Sequence, residues 1–141
     1  MDKLTVIEKI GLLQDAIEIR KEVFMEEQGF IDEFDEIDKE AICLVLYNHD
    51  EAVATSRSYI KDGIHYIGRV AVKSKYRSNN YGAKIMKETI DMIRKRGGQM
   101  IKLSAQIQAQ NFYEKCGFKK IGEPYMDEHC LHIEMIKDLS Q

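Results

Sequence analysis

The sequence predicts an α+β fold, a sandwich in which helices pack on a mixed β-sheet. Three observations carry this. Strand-like runs follow one another over residues 41–47, 51–61 and 64–72, separated by turn signals. Apolar residues recur at helical spacing over 11–27 and 82–96. Beyond Gly97-Gly98 a short strand, a short helix and two closing strands complete the chain. With 141 residues, the chain has the length of one domain, predicted to span 1–141.

Residues 4–8 form a short first strand. Leu12, Leu13, Ala16, Ile17, Ile19, Val23 and Phe24 then mark one face of an amphipathic helix, which Gly29 stops. The acidic stretch 30–40 carries Phe30, Ile31, Phe34 and Ile37, so it reads as a packed loop or short helix. Residues 41–47 are a continuous apolar strand, and Asn48-His49-Asp50 turns the chain into 51–61. Asp62-Gly63 marks a second hairpin turn before 64–72, which gives an antiparallel meander. Ile85, Met86, Thr89, Ile90 and Ile93 define the next helix, ended by Gly97-Gly98. A strand over 100–104, a helix over 109–115 and strands over 117–122 and 130–137 follow.

Composition narrows the function classes. Hydrophobic residues make up 44% and charged residues 32%, as in an ordinary globular protein, and the formal charge is −3. A duplex-binding module would be basic, which argues against nucleic acid. No apolar run approaches the roughly 18 residues of a membrane span, and the N-terminus lacks a signal-peptide pattern, so a cytoplasmic location is expected. Cys43, Cys116 and Cys130 form no CxxC pair, and His129, Cys130 and His132 lack a second ligand cluster; neither a disulfide frame nor a metal is expected. Charge is nevertheless segregated. Residues 21–40 hold nine acids and two bases, whereas 69–96 hold nine bases and two acids. Either solvated faces or an anion site opposite a cation site would produce that pattern.

Residues 70–83 carry the chemistry: a β-branched strand, a polar turn and a helix start. The first turn of a helix has unpaired N–H groups and the positive end of its dipole, so it can hold an anion. Arg77 adds a guanidinium suited to phosphate oxygens, and Gly82 permits close backbone approach. The same features also suit an ordinary helix start without a ligand.

The stretch resembles the pyrophosphate loop of the GNAT superfamily of acyl-CoA N-acyltransferases, Gln/Arg-x-x-Gly-x-Gly/Ala after a Val-x-Val strand. Arg77 and Gly82 match its ends, while Asn80 stands where glycine is usual. Asparagine is the non-glycine residue best suited to a left-handed backbone. Downstream, A-x-x-F-Y-x-x-x-G-F is matched by Ala109, Phe112, Tyr113, Gly117 and Phe118. Two more matches point to a branch of small single-domain members. R-x-x-V-F-x-x-E-Q falls on Arg20, Val23, Phe24, Glu27 and Gln28; an aromatic-acidic stretch before His-x-x-Met falls on Tyr125, Asp127, Glu128, His132 and Met135. His129 and Leu131 replace the Gly and Pro common in that branch.

The resemblance implies a mostly antiparallel sheet of six to seven strands with helices on both faces. It implies an N-acetyltransferase that moves the acetyl group of acetyl-CoA to a primary amine by direct attack, and a homodimer as a family-level expectation. The strand before the loop would be bulged and part from its neighbour, with pantetheine along Val70, Ala71 and Val72. Arg77, Ser78, Asn79, Asn80, Tyr81, Gly82 and Ala83 would hold the pyrophosphate. Gln106 and Phe112 would line the far side, and Tyr113 would protonate the departing thiolate. Candidates for the base are Glu26, Glu27, Asp127, Glu128 and His132. Two rivals differ in kind: a non-catalytic acyl-CoA-binding module, and a nucleotide-phosphate binder unrelated to acyl transfer. Part of the acidic segment is expected to border the acceptor entrance and favour a cationic amine.

Overall fold

The computed structural model describes residues 1–140. Seven strands form one sheet: β1 (Leu4–Ile10), β2 (Ile42–Asn48), β3 (Glu51–Lys61), β4 (Ile64–Val72), β5 (Met100–Gln106), β6 (Lys119–Asp127) and β7 (Cys130–Asp138), in spatial order β1-β2-β3-β4-β5-β7-β6. Every neighbouring pair is antiparallel except β4 and β5. A parallel pair needs a crossover, and helix α2 (Tyr81–Lys95) supplies it. The mixed, mostly antiparallel sheet is therefore the one the sequence predicts.

Helices cover both faces. In β2, Cys43 and Val45 point to one face and pack with Ala16, Ile19, Val23 and Phe24 of the first helix. Leu44 and Leu46 point to the other face and pack with Ile85, Met86, Ile90 and Ile93 of α2. Burial on both sides explains why this strand is apolar without alternation. The first helix, α1 (Gln14–Arg20), starts later than its periodicity suggests, because the Gly11 N–H still bonds the Ala41 carbonyl and Leu13 is extended. It continues through wider π-type turns over Lys21–Glu27. The short helix α3 (Gln110–Lys115) lies on the α2 face, where Phe112, Tyr113 and Cys116 join the core.

Two irregularities shape the sheet. In β4 the register with β3 jumps from Arg57↔Gly68 to Thr55↔Ala71, so Ser56 faces both Arg69 and Val70, and Arg69 adopts φ 51°. This is a β-bulge. On its other side, β4 pairs with β5 only at His65↔Ile101 and Tyr66↔Lys102, and beyond those residues the strands part. The sixth strand also runs further than predicted. It reaches Asp127 because a register shift between Ile121 and Tyr125 carries the strand past Gly122, where the predicted strand ends.

Candidate active site

The parting of β4 and β5 opens a cleft of about 530 Å³. Ile67, Gly68, Arg69 and Val70 line one wall, and Leu103, Ser104 and Gln106 the other. Tyr113 closes it from the α2 face, and Phe24, Gln28 and Phe30 from the α1 face. Asp32, Glu33, Asp35, Asp127, Glu128 and His132 supply its polar rim.

Tyr113 is wedged between Phe112 (ring centroids 5.0 Å apart) and Phe118 (6.3 Å). Its hydroxyl has no protein partner among the described residues. Burial pushes the phenol upward, with a smaller push from Cys116. A phenol so placed stays protonated at neutral pH and can donate into the cleft.

The turn after β4 has the shape an anion cradle needs. Ser78 (φ 70°) and Asn80 (φ 61°) are left-handed. Asn80 thus adopts without glycine the conformation that glycine serves elsewhere, and it caps α2. The first helical bond runs from the Lys84 N–H to the Asn80 carbonyl, so the N–H groups of Tyr81, Gly82 and Ala83 have no helical acceptor. The Asn79 side chain donates to the carbonyls of Tyr76 and Arg77, holding the turn closed. A Cβ on Gly82 would meet the Phe112 ring at 3.3 Å.

The other predicted residues have partners of their own. The Arg77 guanidinium grips both Glu27 oxygens, at 2.5 and 2.9 Å, while its Nε donates to the Val72 carbonyl. Gln106 donates to Gln28 at 2.8 Å and accepts from Gln108. The Tyr81 side chain is buried and accepts from Asn48 at 2.7 Å, so only its backbone faces the turn. Ala71 packs under α1, and Phe112 rests over Gly82 rather than on the cleft wall.

The acidic loop is largely neutralised from within. Buried Arg20 binds Glu33 at 2.7 Å and Asp38 at 2.8 Å. Arg57 binds Asp35 and Asp38, and Arg69 binds Glu33 and Asp35. Burial raises the Asp38 carboxyl, but Arg20 and Arg57 outweigh it and hold the group at about 2. For Glu33, burial outweighs Arg69 and Arg20, and the carboxyl is pushed up.

Among the base candidates, Glu27 is held by Arg77, and Glu128 accepts the N–H groups of Ile31 and Asp32. Glu26 is exposed and off the cleft, whereas Asp127 and His132 line it. The cleft also brings in Gln28, Phe24, Phe30 and Asp32, none of them among the site residues expected from the sequence. The motif R-x-x-V-F-x-x-E-Q held a signal for Phe24 and Gln28.

Residues 13–139 match the family model described as the acetyltransferase (GNAT) domain. The chain belongs to the GNAT acetyltransferase family. Among relatives of this GNAT chain, the uncharacterized N-acetyltransferase YjcF of Bacillus subtilis is 34% identical over 129 residues, covering 89% of this chain and 92% of YjcF. The crystal structure of Escherichia coli ElaA superposes with a TM-score of 0.84 at 26% identity, over 98% of this chain and 100% of that one. A Bacillus subtilis acetyltransferase in complex with CoA has the same fold, with a TM-score of 0.76 at 17% identity over 97% and 99% of the two chains.

Proposed function

We propose that this GNAT protein transfers the acetyl group of acetyl-CoA directly to a primary amine. The observation that carries the reading is the cleft between β4 and β5, with Tyr113 at its wall and the turn before α2 beside it. Val70 and Val72 would present backbone groups to the pantetheine amides along the open strand edge. The N–H groups of Tyr81, Gly82 and Ala83, with the left-handed turn from Ser78 to Asn80, would cradle the pyrophosphate. Arg77 would contribute once it exchanges or shares Glu27. The CoA complex of the Bacillus subtilis acetyltransferase, a protein of the same fold, supports a CoA site in this chain.

The amine lone pair attacks the thioester carbonyl carbon, the C–S bond breaks, the Tyr113 hydroxyl protonates the departing thiolate, and the nitrogen gives up one proton to a base or water, which restores Tyr113 by exchange. A thiol of pKa about 8.5 needs only modest help from such an acid. The acceptor reaches the carbon from the rim of Asp32, Asp127 and Glu128, which favours a cationic amine. Titration calorimetry with acetyl-CoA, paired with a thiol-release assay over an amine panel, tests the reading. Binding followed by amine-dependent thiol release is expected. Tight binding without turnover for any amine would make the protein a carrier of acyl-CoA instead.

A further inference from the structure

Direct transfer needs a proton donor beside the leaving sulfur and a proton acceptor beside the incoming nitrogen. The amine approaches a face of the planar thioester while sulfur lies in its plane, so the two groups act from different directions and need not share one wall of the cleft. Tyr113 enters from the α2 face. On β7, Ile133 and Met135 point into that same core, so His132 points to the α1 face, where it meets Phe30. His132 lines the cleft while only 6% exposed.

Its position along the sheet also fits. The β4–β5 ladder ends at Tyr66↔Lys102. Val70 lies four residues beyond that point on β4, and Gln106 four residues beyond it on β5. His132 is the register partner of Gln106, so it stands across the opening from Val70.

The ring is held for one task. Nδ1 lies 3.1 Å from the Cys130 carbonyl, an acceptor, which fixes the proton on Nδ1 and leaves the Nε2 lone pair free. Tyr125 stacks on the ring at 6.1 Å and Phe30 packs edge-on at 6.3 Å. Nε2 has no protein partner among the described residues. Although the ring as a whole is buried, Nε2 itself is not sealed off, so it is open to a ligand or water in the cleft.

We infer that His132 is the catalytic base that takes the proton from the acceptor amine; this rests on the acetyl-transfer reading above. The cationic amine first releases one proton to water, and the neutral amine then forms its C–N bond to the acetyl carbon as the C–S bond breaks. One proton passes from nitrogen to His132 Nε2 and one from Tyr113 to sulfur. Exchange with water then returns a proton to Tyr113 and removes one from His132, so the net reaction is thioester plus amine to amide plus thiol.

His132→Asn keeps a donor near the Cys130 carbonyl while removing Nε2. It is expected to lower kcat by about 10²-fold, with the acetyl-CoA Kd unchanged. In His132→Ala, added imidazole should restore part of kcat, a rescue that a purely structural role would not give. An active wild type with an equally active His132→Asn variant overturns the assignment alone. So does His132→Ala that binds acetyl-CoA normally yet does not respond to imidazole. A wild type that transfers to no amine overturns the transfer reading, and the assignment with it.

Discussion

At the residue scale, each position of the first-helix motif has a physical task. Arg20 is buried between Glu33 and Asp38, Val23 and Phe24 fill the core, Glu27 grips Arg77, and Gln28 reaches Gln106. The motif was legible in the sequence, but its targets were not, because they lie far along the chain and only folding brings them near. Asn80 was legible in part: asparagine in place of glycine suits a left-handed backbone, and φ is 61°. Replacing Tyr113 with Phe should lower kcat by about 10²-fold with little change in CoA affinity, as measured by steady-state kinetics and calorimetry. Glu27→Gln should tighten CoA binding, because it frees the Arg77 fork. The pair is partly exposed and worth at most about 1 kcal/mol, so the gain should stay within about fivefold.

At the scale of elements, the loop over 30–40 is the part least legible from the sequence. Its nine-acid neighbourhood looked like a solvated face or a cation site. The structure instead folds Glu33, Asp35 and Asp38 onto Arg20, Arg57 and Arg69, three arginines drawn from α1, β3 and β4. Charge counting within a window could not anticipate partners outside it. Asp32 and Asp127 keep no ion pair among the described residues, so the acidic rim is smaller than the composition suggests. Removing Arg20 would leave buried carboxylates undercompensated. Arg20→Ala should cost about 3–5 kcal/mol of unfolding free energy in urea titration. The Asp38 carboxyl is held at about 2 against an ordinary 3.8. Its contribution to stability is therefore complete above about pH 4 and lost as the pH falls through 2, a window that acid unfolding of Asp38→Asn against wild type would reveal.

At the scale of the molecule, the sheet, its helices and their order were legible because hydrophobic period and turn chemistry are local signals. The parting of β4 from β5 was not local, and came only from the family resemblance; its cause is a ladder that stops after two pairs beside a bulged strand. Charge segregation survives in part at this scale. The KM of cationic acceptors should rise with salt, while that of neutral amines stays flat; an equal response would assign the acidic rim no part in recognition. The short β4–β5 ladder has one more consequence. It leaves the sheet with two edges in its interior, in addition to those of β1 and β6. Edges of this kind invite foreign strands, and here α1, α3 and the loop around Phe30 screen them. Alternate amides of residues 67–72 should therefore exchange with solvent deuterium faster than those of β2, and a ligand that pairs with the open edge should slow them. The sheet is, in that sense, one strand short, and occupancy of the cleft would complete it.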